Sequence, residues 1–424
     1  MYVSALATVE EIQDNTLSVN HSIKFSFKDD IEPLYQEYLE LILSVKKPDF
    51  KKAIQVKEDL QLAEIKNFLQ CGNLPLFNIE GKENQTSISS IIYIFKFKNR
   101  VDILVKKKNQ IVVHKTQNLS EVIYSIDNLM NITRSADFLT FSEDSFLIAS
   151  QNLYELLLAP IKDYLPKDGS LRFVLDTYFQ NIPFSLMNDE ENYLIEKYDI
   201  STSLTSKFLE PVFLKPEDLN VFFAGISQLN PNLKTLNTSN GFSPLPEVET
   251  ELLNIKSSAN DTLELMNKEF TSRKFQQLAT KTDFPAIHIS SHGQFSSDPK
   301  KTFILAWDKP INVRELEYLV KIHDQKNSDP IDLLILSACE TAKGDKRSAL
   351  GIAGVTVMAG AKTSLASLWL VDSESTALLM GYFYDGLKKG LNESQALREA
   401  QLTLSKNPKY SHPYYWAPFI LVGR

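Results

Sequence analysis

Two cysteines, Cys71 and Cys339, are all that the 424 residues carry. That is too few for a disulfide framework or a structural zinc site, and the scarcity suits a reducing compartment. Met1 to Gln13 lacks the basic start, apolar block and small-residue cleavage site of a secretory leader. No window reaches the ~18 apolar residues of a membrane-crossing helix. A soluble, cytoplasmic protein is therefore expected, with no membrane partner. Positive charge is also short, 45 Lys and Arg against 53 Asp and Glu, for a net charge of −8. No global field is available to gather phosphates, so no direct nucleic acid partner is expected. The basic run Lys106 to Lys108 lies between two strand-like stretches and reads as a solvated hairpin edge blunted by lysines.

Several catalytic signatures are missing too. The chain has no Gly-x-Ser-x-Gly elbow, no Gly-x4-Gly-Lys-Ser/Thr loop and no Gly-x-Gly-x-x-Gly after its first strand. Six histidines, His21, His114, His288, His292, His323 and His412, lack close metal-ligand spacing. What is present is the composition of a packed globular protein, 43% hydrophobic with 25 Phe and 16 Tyr. The length allows two or three domains.

Residues 30 to 70 carry helical periodicity: Leu34, Tyr38, Leu41, Ile42 and Val45 share a face, Pro48 and Asp49 interrupt, and Leu62, Ile65 and Leu69 resume. A helical hairpin is expected there. Three β-rich runs follow, Ile91 to Lys98, Val101 to Lys106 and Ile111 to Lys115, and predict an antiparallel meander. Asn128 to Lys162 returns to helical pattern. Beyond residue 150, solid apolar runs recur at Leu171 to Leu175, Val221 to Gly225, Ala286 to Ser290, Leu333 to Ser337, Ser364 to Trp369 and Phe419 to Val422. Strands apolar on both faces are buried on both faces, so a largely parallel six-stranded sheet flanked by helices is expected. Leu379, Met380, Phe383, Tyr384 and Leu387 form one helical stripe and Ala396, Leu397, Ala400 and Leu404 another, with Asn392 and Gln395 as a capping box. Gly351 to Gly354 and Ala359 to Ala361 flank a helix and read as close helix packing.

In an open parallel sheet, reacting groups gather beyond the carboxyl ends of the strands. His292 and Gly293 follow the run 286–290, and Cys339 follows the run 333–337. Consecutive parallel strands joined by a crossover are usually neighbours, so His292 and Cys339 should face one crevice. Their separation, 339 − 292 = 47, is close to the ~50 typical of the histidine upstream of a caspase-type cysteine. An imidazole beside the thiol raises its reactivity and later protonates the leaving amine. The amides of Gly293 and Cys339 are candidate oxyanion donors. His288, inside its strand, reads as structural, and Cys71 is assigned nothing.

Several ordered blocks carry a resemblance to the CHAT family, caspase-fold cysteine peptidases related to separases and often fused in bacteria to tetratricopeptide repeats. They include Leu153 to Pro160, Phe184-Ser-Leu, Phe242 to Glu247, Ile289 to Phe295, Leu334 to Ala342, Gly351 to Gly354, Ala366 to Asp372 and His412 to Ala417. The resemblance implies a caspase-like α/β fold, a His292 and Cys339 dyad, endopeptidase cleavage through a thioester, and no cofactor. It also implies that 60–148 corresponds to a degenerate caspase-like half. Thr177 stands where the family usually has the glycine of an Asp-Gly turn, and the tandem helical repeats are nearly missing. Asp176, at the end of the first strand, and Asp372 are expected to line the substrate pocket, Asp176 favouring a basic side chain. The expected division is a helical extension at 1–75, a meander with a helix at 76–148 and a peptidase domain at 149–424. The expected function is a cysteine endopeptidase that cleaves specific protein partners and is gated by an activating or helical-repeat protein. The competing reading is a caspase-fold scaffold whose dyad is idle.

Overall fold

The computed structural model describes residues 2, 6, 8, 27–69, 88–108, 110–133, 142–203, 214–231, 242–279, 284–316, 331–337, 339–341, 345 and 347–423. Cys71, His21 and His323 lie outside them. The helical hairpin is present as α1 (Glu32–Ser44) and α2 (Phe50–Leu69). Asp49 opens α2 by accepting from the Lys52 amide at 3.0 Å, so the Pro48-Asp49 interruption works as a helix start. The meander follows as β1 (Ile88–Lys96), β2 (Arg100–Lys107) and β3 (Gln110–Asn118), antiparallel throughout. Lys108 turns the β2–β3 connection with φ of 49°, and the lysine run sits at that hairpin end. Helix α3 (Leu119–Thr133) begins directly after β3, and α4 (Glu143–Leu157) is capped by Ser142.

The remaining chain supplies β4 (Gly169–Leu175), β5 (Tyr198–Ser203), β6 (Asn220–Gly225), α5 (Val248–Ser258), β7 (Asp261–Met266), α6 (Ser272–Ala279) and β8 (Ala286–Ser290). Beyond them lie β9 (Gly293–Phe295), β10 (Phe303–Leu305), β11 (Pro310–Asn312), β12 (Leu333–Leu336), β13 (Cys339–Thr341), α7 (Ala349–Met358) and β14 (Thr363–Ser367). Helices α8 (Ser373–Lys388) and α9 (Glu393–Ser405) and strand β15 (Phe419–Gly423) complete it. One mixed, mostly parallel sheet of eleven strands runs β3-β2-β1-β4-β5-β15-β14-β12-β8-β6-β7. All six expected strands are in it, yet the sheet is larger than the six expected, for three physical reasons. Strand β5, Tyr-Asp-Ile-Ser-Thr-Ser, is built from polar residues whose hydroxyls are satisfied inside the sheet, as when Thr202 donates to the Leu421 carbonyl at 2.9 Å, so no apolar run marks it. Strand β7 is an edge, half-exposed and hence mixed in composition. The meander joins rather than standing apart, because β1 pairs in parallel with β4, Ile92 opposite Phe173.

Alternation along β1 explains how both faces of that end are covered. Ile91, Tyr93 and Phe95 face a core formed with Tyr35, Leu39, Val56 and Leu60 of the hairpin. Ile92 and Ile94 face the main core with Val122, Ile126 and Leu129 of α3. The stripes on α8 and α9 are buried, and Asn392 and Gln395 form the expected capping box. The glycines of 351–354 lie within α7, not beside it. A methyl added at Gly354 would come within 2.3 Å of the Phe68 ring of α2.

Candidate active site

Strands β8 and β12 are parallel neighbours, with Leu336 opposite Ile289. Past their carboxyl ends both segments cross into a second, four-stranded sheet of order β11-β10-β9-β13. There β9 and β13 pair in parallel with Cys339 opposite Gly293. His292 is the residue before β9, so the backbone brings His292, Gly293 and Cys339 to adjacent positions at the sheet rim, where open α/β sheets collect their reacting groups.

The His292 ring is half-buried and oriented. Its Nε2 lies 2.6 Å from the Ser243 carbonyl oxygen, and the Phe242 ring covers it at 4.9 Å between centroids. Nε2 can only donate to a carbonyl, which leaves Nδ1 as the lone-pair nitrogen of the neutral ring. Burial lowers the imidazole pKa below its usual 6.5, with the Ser243 carbonyl acting against that fall. At neutral pH the ring is therefore a proton acceptor. The block Phe242 to Glu247 thus has a geometric job that its sequence alone did not disclose.

Beneath the rim is a closed polar network. His288 Nε2 lies 2.8 Å from Glu251 Oε1 and 3.3 Å from Ser337 Oγ, its Nδ1 lies 3.1 Å from the Tyr384 hydroxyl, and Ser290 donates to Glu251 Oε2 at 2.5 Å. All of these residues are buried. His288 is structural in this arrangement. Through it α5 holds β8 and β12 two residues short of His292 and Cys339. A carboxylate at position 251 inside the buried stripe Val248, Leu252 and Ile255 was the available signal for this network.

Asp176 requires a correction. Instead of lining an open pocket it is buried, with Lys57 Nζ at 3.0 Å, the Gln36 amide at 3.4 Å and the Tyr178 amide at 3.3 Å. Burial acts to raise its pKa, but the Lys57 ammonium outweighs it and holds the carboxyl below the usual range. A carboxylate already neutralised by an internal lysine is not left over for a basic substrate side chain. It also lies away from the rim, since β5, β15 and β14 separate β4 from β12. Asp372 is occupied as the N-cap of α8, accepting from the Ser375 amide at 2.9 Å. Thr177, in place of the family glycine, donates its hydroxyl to Glu64 of α2.

The loops near the rim are tied to each other. Asp345 Oδ2 accepts from Ser296 Oγ at 3.0 Å, the Ser297 amide at 2.7 Å and Ser297 Oγ at 2.9 Å. Burial acts to raise the Asp345 pKa, yet these hydrogen bonds hold it below the usual value. Asn181 donates to the Asp345 carbonyl at 3.3 Å and accepts from the Ala349 amide at 3.0 Å. No local pattern marks Asp345, Asn181 or Arg347, because their partners are remote along the chain.

The CHAT domain family matches residues 147–424, well over half of the chain, and the chain belongs to that family. Tetratricopeptide repeat protein 28 of Homo sapiens is 34% identical over 97 residues, 22% of this chain and 4% of that protein. The Mus musculus protein of the same name is 33% identical over 96 residues. The chain therefore matches only a small fraction of these relatives' length. Among solved structures it is similar to the Saccharomyces cerevisiae separase–securin complex, with 11% identity, TM-score 0.38, and coverage of 100% of this chain and 27% of that one. It is also similar to the complex of Porphyromonas gingivalis RgpB pro- and mature domains, with 9% identity, TM-score 0.41 and coverage of 72% and 77%. Among the described residues no helix is long and apolar enough to cross a membrane.

Proposed function

We infer that the chain is a cysteine endopeptidase acting on protein partners in the cytoplasm, with Cys339 as nucleophile and His292 as general acid and base. The observation that carries this reading is the parallel pairing of β9 with β13, Cys339 opposite Gly293, beside an imidazole whose Nε2 is engaged by Ser243. Membership of the CHAT family supports it. In the proposed reaction His292 Nδ1 takes the thiol proton as sulfur attacks the peptide carbonyl carbon. The amides of Gly293 and Cys339 stabilise the oxyanion, an effect worth ~3–4 kcal/mol per donor in other enzymes. The C–N bond then breaks, the imidazolium protonates the leaving amine, and water hydrolyses the thioester to a carboxylate and the restored thiol.

Cys339→Ala and His292→Ala are each expected to abolish the appearance of new protein termini when the chain is incubated with cell lysate, with circular dichroism unchanged. Cleavage by Cys339→Ala at the wild-type rate would falsify the assignment. The imidazole pKa is depressed, so the acid limb of the pH–rate profile is expected below 6.5. The N-terminal hairpin, on this reading, is the partner-facing remnant of a helical repeat.

A further inference from the structure

The buried face of α2 carries Lys57, Gln61 and Glu64 at helical spacing, all nearly sealed from solvent. Charges so placed are costly unless each has a partner, so the identity of the partners is informative. Lys57 meets Asp176, and Gln61 donates to the Leu175 carbonyl at 2.7 Å. Glu64 meets Arg347, whose other guanidinium nitrogen lies 2.9 Å from Glu32 of α1. Both helices of the hairpin therefore grip one arginine that lies eight residues past Cys339, across sequence separations of 315 and 283. One turn further along α2, Phe68 packs against Gly354 of α7. The ionic and apolar contacts belong to one interface, between α2 and the segment 347–354.

The opposite side of that segment touches the histidine loop. The Arg347 amide donates to Asp345 Oδ1 at 3.0 Å, and the other oxygen of Asp345 takes Ser296 and Ser297, just beyond β9. Gly351 lies against the backbone of Ser296, so closely that a methyl group there would come within 2.8 Å of its nitrogen. Asp345 and residues 347–351 are thus wedged between the hairpin and the strand that pairs with Cys339.

We propose that Arg347, clamped by Glu32 and Glu64, is a positioning residue for the Cys339 and His292 site, which makes the N-terminal hairpin part of the catalytic arrangement. The proposal rests on the peptidase reading for its chemistry and on the wedge geometry for its mechanics. A partly buried network of three charges, with Glu64 sealed and Arg347 and Glu32 about one-fifth exposed, is weak support for stability but can select one arrangement of the chain over others. Here that arrangement is the placement of Asp345 and Arg347 against Ser296 and Ser297, just beyond β9. A partner that engages α1 or α2 has, through Glu32 and Glu64, a direct route to the site.

The test uses the full chain and iodoacetamide, a small neutral electrophile that requires no known substrate. Amide hydrogen exchange over 293–302 is the second readout. Arg347→Gln is expected to slow alkylation of Cys339 by about tenfold or more, within the ~10²-fold that a displacement near 1 Å can cost a positioned site. Exchange over 293–302 is expected to accelerate, with far-UV circular dichroism unchanged. Arg347→Gln leaves Glu64 buried without its cation, so a second variant, Arg347→Met with Glu64→Leu, removes both charges and is expected to fold while showing both changes. Arg347→Lys, which keeps the charge but not the planar fork, is expected to fall between. Wild-type alkylation and wild-type exchange in the folded double variant overturn the proposal. If wild-type Cys339 reacts no faster than a free cysteine while exchange still responds to Arg347, the clamp stands and the peptidase reading falls.

Discussion

Replacing Gly351 by alanine tests the wedge without reference to any substrate. The added methyl would sit 2.8 Å from the Ser296 nitrogen, 2.9 Å from its oxygen and 3.0 Å from Thr302 Oγ1. Ser296 and Thr302 are buried and bridge each other, the Thr302 hydroxyl accepting from the Ser296 amide at 3.1 Å and donating to its carbonyl at 3.0 Å. No flexible side-chain end is available to swing aside, so the backbone beyond β9 has to move by roughly half an ångström or more to regain ordinary contact. Overpacking of this kind costs about 1–3 kcal/mol, while exchanging a helical glycine for alanine returns about 1 kcal/mol of propensity. The net expectation is a loss near 1 kcal/mol, or about 1 °C in Tm for a chain of 424 residues. Gly381→Ala in α8 is the control, because there the new methyl meets only the Asn254 side chain at 3.2–3.4 Å and the propensity gain should dominate. The assay is thermal and denaturant unfolding of the three proteins side by side. A midpoint for Gly351→Ala at or above that of Gly381→Ala would refute the close approach of α7 to Ser296.

Two further outcomes follow from buried charges. Lys57→Met leaves Asp176 buried without its ammonium and is expected to destabilise the fold by about 3–5 kcal/mol, whereas Lys57→Met with Asp176→Leu should recover most of that loss; equal stability of the single and double variants would show that the pair is not desolvated. Glu393, buried at the start of α9, has its pKa raised to about 7, chiefly by burial. Because the folded-state value lies above the usual 4.5, the folded chain holds a proton that the unfolded chain releases, so stability falls as pH rises from about 4.5 to 7 and levels off above. Glu393→Gln is expected to flatten that fall, which amounts to at most about 3 kcal/mol. Unfolding midpoints of wild type and Glu393→Gln measured from pH 5 to 8 check it, and parallel curves would count against a protonated Glu393.

Local pattern alone determined a good deal of this protein. Runs apolar on both faces announced six of the strands, because a strand sealed by helices on both sides has no polar alternative. Stripes at 3.6 spacing announced α8 and α9, and Asn392 with Gln395 announced a helix start, because these depend only on neighbours a turn away. The ordered blocks from Leu153 to Ala417 indicated the CHAT family, to which the chain belongs. Tertiary structure alone decided the rest. Periodicity records that a residue is buried but not against what, so the joining of β1 to β4, which merges meander and main sheet into one, was not legible. Polar β5 was hidden for a related reason, since hydroxyls satisfied across a sheet resemble hydroxyls in a loop. Asp176 reads from sequence as a strand-end residue of the substrate pocket, and what occupies it instead is Lys57, 119 residues away. The wedge from Glu32 and Glu64 through Arg347 to Ser296 exists only because the folded chain returns to itself, for an ion pair is set by distance in space and leaves no periodic trace in the order of residues.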